Sequence, residues 1–165
     1  MPSVISTLLK AQINLLNPLI NNLELETQRR LQDALAGLGA RVKAGRTVSC
    51  LEDLGSCQAA WVFPLEGQVR RAVLYLHGGA YTAGTLEYAQ GFGGMLALET
   101  GRAALCLGYR LAPEHPFPAA LEDALKAYEF LLTRFKPENT ALVGESAGGG
   151  LCFSLAMRIR DLGLP

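Results

Sequence analysis

Much is scarce in this 165-residue chain: it has two histidines, one tryptophan and four cysteines, and only 18% of its residues are charged. The cysteines (Cys50, Cys57, Cys106 and Cys152) form no C-x-x-C pair, and only His77 and His115 could join them. That spacing excludes a zinc site. Three of the four sit in apolar, strand-like or helix-like surroundings, so they read as buried small hydrophobes, not disulfides. Fifteen basic and fifteen acidic residues cancel, leaving no net field to hold a phosphate backbone and excluding nucleic acid as a partner. No run of about 18 apolar residues occurs, so stable membrane insertion is not expected. The N-terminus lacks a basic leading segment and carries Lys10 and Gln12 inside its apolar stretch, unlike a signal peptide. A reducing cytoplasm is the expected location.

Apolar residues and glycine are abundant. Half of the chain is hydrophobic, enough to bury a substantial core. The 18 glycines exceed the usual ~7% and cluster at 78–79, 91–94 and 144–150.

Two amphipathic helices are expected before any strand. Ile5, Leu9, Ile13, Leu16, Ile20 and Leu23 recur at helical spacing with Pro18 as a break, and a second stripe runs from Thr27 to Leu38. From there the texture is strand and helix in alternation. TVSCL (47–51) and AAWVF (59–63) flank a turn and predict a hairpin. AVLYLH (72–77) and ALCLGY (104–109) are near-continuous apolar runs, as strands covered on both faces require. Helices are expected at 88–100, 119–135 and 147–161, the second with Leu121, Leu125, Tyr128 and Leu132 inward. A short strand, ALVG, precedes the last. This order predicts an α/β fold with a mostly parallel sheet.

One pentapeptide stands where that order gives it meaning. Gly144-Glu145-Ser146-Ala147-Gly148 is G-x-S-x-G between a strand and a helix. Small residues on either side let the chain reverse sharply and expose the serine at the strand end. There it meets a helix N-terminus, whose N–H groups and dipole favour a developing negative charge. The bland alternative is an N-cap serine in a chance match. A phosphate-binding loop is excluded, since no Gly-Lys-Ser/Thr follows and no lysine is near. His77-Gly78-Gly79-Ala80-Tyr81, at the end of another strand, could bring free backbone amides to the serine. His77 itself reads as a structural imidazole within that loop.

HGGAY at 77–81, YRLAPEHPFPAALEDA at 109–124 and GESAGG at 144–149 together resemble the hormone-sensitive-lipase-like branch of the α/β-hydrolase family. The likeness covers roughly the second two-thirds of the chain, and the leading helices resemble that family's cap. It implies an α/β-hydrolase core over 41–165 with cap helices over 1–40, and a carboxylesterase acting on small uncharged esters without metal or organic cofactor. Carried over by position, Ser146 is the nucleophile. Gly78, Gly79, Ala80 and Ala147 make up the oxyanion hole, with Gly78 shaping the loop. Ala80 replaces the usual third glycine and Glu145 the usual aspartate; the latter reads as a carboxylate that fastens the loop.

In this fold the triad runs Ser, Asp/Glu, His in chain order. Nineteen residues follow Ser146, and none is a histidine. The expectation is therefore a core truncated after the nucleophile helix, inert alone, with ALVG as an exposed edge open to self-association. The alternative is a non-catalytic module of the same fold that binds a small apolar ligand or a protein.

Overall fold

The computed structural model describes Lys10, residues 24–30, Ala34 and residues 45–165. The first amphipathic stripe and most of the second lie outside the described residues; within 24–30, residues 25–30 are helical.

Five strands form one sheet. β1 (Thr47–Asp53) and β2 (Gln58–Pro64) are the expected hairpin, antiparallel with Cys50 opposite Trp61. β3 (Ala72–Leu76), β4 (Ala103–Gly108) and β5 (Thr140–Gly144) complete the order β1-β2-β4-β3-β5. β2 meets β4 antiparallel, whereas β3 runs parallel to both β4 and β5. All five residues of β3 are buried, which is why that segment is apolar without alternation. β1 and β5 are the edges among the described residues.

Helices cover both faces. α1 (Leu86–Thr100) packs on one, while α2 (Ala119–Leu132) and α3 (Ala147–Asp161) pack on the other. Successive β3 residues serve the two cores in turn: Leu74 and Leu76 face α2 and α3, and Val73 and Tyr75 face α1. α1 approaches closely because Gly93 lies over Cys106, where an added Cβ would come within 2.2 Å of its sulfur. The helix starts earlier than its apolar pattern suggests, at Thr85, whose hydroxyl accepts the Tyr88 N–H at 3.2 Å. Gly101 closes it in the left-handed region at φ 65°.

The inward face of α2 differs from the expected leucine stripe. Asp123, Ala124, Ala127, Tyr128 and Leu131 are buried, and Leu121, Leu125 and Leu132 lie at the margins. Two alanines let the helix sit close to the sheet, and Asp123 is admitted because it is fully paired. Its carboxylate accepts the Arg110 backbone N–H (2.9 Å), the Arg110 Nε (3.0 Å) and the Ser56 hydroxyl (2.7 Å). The pattern YRLAPEHPFPAALEDA thus contains its own ion pair, which folds the 110–118 loop back onto α2.

All four cysteines are free. Cys57 and Cys106 are buried and Cys152 is half-buried, but Cys50 is exposed because its strand is an edge. Among the described residues no helix is long and apolar enough to cross a membrane.

Candidate active site

Two chain reversals at adjacent strand ends meet at the carboxyl edge of β3 and β5. The first is the turn from β5 into α3. Ser146 occupies φ 52°, ψ −120°, is exposed, and makes no side-chain cap bond to the helix it precedes. That rules out the N-cap reading. A non-glycine residue in this region stores about 1–3 kcal/mol of backbone strain, which the surrounding packing must hold. The flanking glycines are what permits it. An added Cβ at Gly144 would lie 2.3 Å from the Gly148 carbonyl oxygen, and one at Gly148 only 2.0 Å from that of Leu76. Both glycines are therefore demanded by close approach of backbone to backbone. The Gly148 N–H closes the turn onto the Glu145 carbonyl at 2.9 Å.

The second reversal leaves β3 through His77. Gly79, Ala80 and Tyr81 all have positive φ, at 116°, 54° and 62°. The resulting tight turn is tied by the Thr82 and Ala83 N–H groups, both donating to the Gly79 carbonyl at 2.9 Å. Ala80 thus carries its methyl group in the left-handed region, where an L residue is disfavoured by roughly 1–2 kcal/mol.

His77 is wholly enclosed. Its Nδ1 donates to the Gly78 carbonyl at 2.7 Å, and its ring stacks on Tyr109 at 4.1 Å, with the Tyr109 hydroxyl donating to the His77 carbonyl at 2.7 Å. The missing side chain of Gly84 leaves room for the ring. Burial lowers the His77 pKa, keeping the imidazole neutral. Its role in shaping the loop matches the sequence reading. His115 is exposed. No hydrogen bond joins either histidine to Ser146.

Glu145 links the two reversals. Its Oε1 accepts the Gly78 N–H at 2.9 Å and the Tyr88 hydroxyl at 3.0 Å. Burial, with this contact, pushes the Tyr88 phenol up to about 12, so it stays a donor. The Gly78 N–H is thereby engaged and is not left for a ligand. Gly78 belongs to the loop's shape and not to its donor set. The N–H groups of Gly79, Ala80 and Ala147, by contrast, meet no acceptor among the described residues. Beside the Ala80–Tyr81 turn opens a cavity of about 410 Å³, walled by Phe117, Pro118, Leu121 and Leu151.

Two partners of this region were not legible in the sequence. Tyr88 lies 57 positions from Glu145. Arg29 reaches from the helical 25–30 segment to the Thr82 carbonyl (2.7 Å), the Ala112 carbonyl (3.1 Å) and both oxygens of Glu114 (2.8 Å each). The Arg29 guanidinium holds the Glu114 carboxyl at about 2, far below the usual range. Only a contact map could have revealed either.

The sequence profile described as alpha/beta hydrolase fold matches residues 73–165. The chain is 41% identical over 149 residues to an acetyl-hydrolase of Streptomyces hygroscopicus, covering 87% of this chain and 48% of that protein. It is 36% identical over 100 residues to the hormone-sensitive lipase of Homo sapiens, covering 58% of this chain and 9% of that protein. Among solved structures it superposes on EstE5 soaked with p-nitrophenyl butyrate at a TM-score of 0.76, with 35% identity over 93% of this chain and 53% of that one. An esterase from the bacterial hormone-sensitive lipase family gives 0.78, with 32% identity over 87% and 48%. The chain spans about half the length of the acetyl-hydrolase and of these esterases. With the sheet order, the strained serine turn and the glycine loop in agreement, the chain belongs to the α/β-hydrolase fold family, in its hormone-sensitive-lipase-like esterase branch.

Proposed function

We propose that this chain carries the nucleophile and oxyanion hole of a serine carboxylic-ester hydrolase. The observation that carries the reading is the exposed, strained Ser146 at a helix N-terminus, with a neighbouring loop whose Gly79 and Ala80 amides meet no acceptor among the described residues. In this reading Ser146 Oγ attacks the ester carbonyl. The tetrahedral oxygen takes hydrogen bonds from the N–H groups of Gly79, Ala80 and Ala147. Collapse expels the alcohol, its oxygen taking up the proton lost by the serine hydroxyl, and water then hydrolyses the acyl-serine to the acid and free Ser146.

The general base is the part these residues do not provide. His77 is buried and His115 is exposed, and neither hydrogen-bonds Ser146. In a serine–histidine system, loss of the base costs about 10⁶-fold in turnover, or about 8 kcal/mol of transition-state stabilisation. Donors and binding alone retain about 10³–10⁴ over water. The 165 residues should therefore turn over very slowly by themselves.

Chemical rescue tests both halves of the proposal. A p-nitrophenyl phosphonate, followed by intact-mass and peptide analysis, should modify Ser146 slowly in the chain alone and faster when imidazole is added as a free base. Ser146→Ala should abolish the adduct. Modification elsewhere, or none with imidazole present, refutes the nucleophile and favours a binding module. Labelling equally fast without imidazole refutes the missing base.

A further inference from the structure

Glu145 makes a side-chain hydrogen bond between the serine turn and the glycine loop, and a rigid element is anchored to the same oxygen. Its Oε1 receives the Gly78 N–H from the loop and the Tyr88 hydroxyl from the first turn of α1. The pocket for this carboxylate exists only because Gly78 has no side chain: an added Cβ would stand 2.9 Å from each carboxylate oxygen. Tyr88 is held in turn, with its ring edge-on to buried His77 at 6.2 Å and its N–H on the Thr85 cap. Strand, helix and loop therefore converge on one oxygen atom, adjacent in sequence to Ser146.

The three consecutive positive-φ residues after Gly78 explain why such an anchor is needed. The turn's own hydrogen bonds to the Gly79 carbonyl fix its internal shape, strained as Ala80 and Tyr81 are, but its amides keep a fixed aim relative to Ser146 only if its entry is pinned. Catalysis by preorganised donors depends on that aim, since reorientation at the moment of reaction is what the arrangement avoids. We propose that Glu145 is a positioning residue: it holds the loop's entry at a set distance from Ser146, so that the Gly79 and Ala80 amides point at the oxygen of a tetrahedral adduct. This rests on the esterase reading for its purpose, but the clasp itself is a separate physical claim. Its action is as a hydrogen-bond acceptor and not as a charge.

Glutamine separates those two actions, because it keeps an acceptor oxygen at the same reach and removes the charge. In the ¹⁵N-labelled 165-residue chain, amide exchange at Gly78 should be slow, should quicken at least about 10-fold in Glu145→Ala, and should stay near the parent rate in Glu145→Gln. Tyr88→Phe, which retains the ring and its packing, should give an intermediate change. Imidazole-assisted phosphonylation of Ser146 should fall by about 10²-fold in Glu145→Ala, as for a misplacement on the order of 1 Å, and by far less in Glu145→Gln. Fast exchange at Gly78 in the parent, or exchange unaltered in Glu145→Ala, overturns the clasp whether or not Ser146 reacts. Glutamine as damaging as alanine shows that the charge acts instead. Lost protection with unchanged labelling refutes the positioning role alone, whereas failure of the parent to label refutes the esterase reading and leaves the exchange result to decide the clasp.

Discussion

Replacing Gly148 by alanine would put a methyl carbon 2.0 Å from the Leu76 carbonyl oxygen and 2.5 Å from that of His77. Both oxygens belong to the backbone of β3 and its exit. β3 is held by β4 on one side and β5 on the other, so neither atom can swing aside. α3 must instead withdraw by about 1 Å, in an interior packed too densely to absorb it. Overpacking of this kind costs about 1–3 kcal/mol, offset in part by the ~1 kcal/mol that alanine gains over glycine in a helix. The net expectation is a loss of up to about 2 kcal/mol, from overpacking less the helix gain. Ser146 is carried along, so phosphonylation should slow about 10²-fold. Gly149, one position on, is the internal control. An added Cβ there meets only the Gly144 carbonyl, at an ordinary 3.5 Å, and Gly149→Ala should gain about 0.5 kcal/mol. Guanidinium denaturation followed by far-ultraviolet circular dichroism reads both signs. A Gly148→Ala midpoint raised above the parent's, as expected for Gly149→Ala, would refute the close approach of α3 to β3 and the reason given for the second glycine of G-x-S-x-G.

Ala80→Gly relieves the left-handed methyl at a cost in unfolded-state entropy, so the chain should become more stable by up to about 1 kcal/mol; a clear loss would show that φ 54° is wrong. Asp123→Asn strips the charge from a buried acceptor of Arg110 and should cost about 3 kcal/mol at pH 7. Burial alone would raise the Asp123 pKa, but the Arg110 guanidinium and N–H and the Ser56 hydroxyl outweigh it and hold it low. A depressed carboxyl contributes fully above its unfolded pKa of about 3.9 and loses that contribution as pH falls through its folded value. The stability gap between parent and Asp123→Asn should therefore be constant from pH 7 to about 5 and close in stronger acid; a gap that widens there contradicts the pairing. Native chain should show one fast thiol toward a disulfide reagent, exposed Cys50, and four after denaturation. Burial pushes Cys57 up to about 11 and raises Cys152, and Cys106 is enclosed; equal rates at Cys50 and Cys57 would contradict that burial.

The parts of the fold legible in the sequence are those written in local pattern. β3 and β4 are continuous apolar runs because both their faces are covered, and the Gly-Glu-Ser-Ala-Gly turn stands out because close backbone contact leaves no alternative to glycine. What pattern concealed depends on distance along the chain. Asp123 looks like a solvent-facing residue of α2 until Arg110 is brought against it, and that burial rotates the inward face away from Leu121 and Leu125. Gly78 looks like one more amide for the oxyanion until Glu145 is seen to take its N–H. Tyr88 and Arg29 act across 57 and 53 positions, on an acceptor carboxylate and on the Thr82 carbonyl, and no spacing rule reaches that far.

The proposal requires the amides of Gly79, Ala80 and Ala147 to converge where a tetrahedral oxygen at Ser146 would sit. A ¹⁵N–¹H correlation spectrum of the chain before and after phosphonylation of Ser146 reads those amides individually. The predicted result is a large downfield proton shift confined to Gly79, Ala80 and Ala147, with Gly78 almost unmoved. An adduct at Ser146 that leaves all three amides in place would contradict the account.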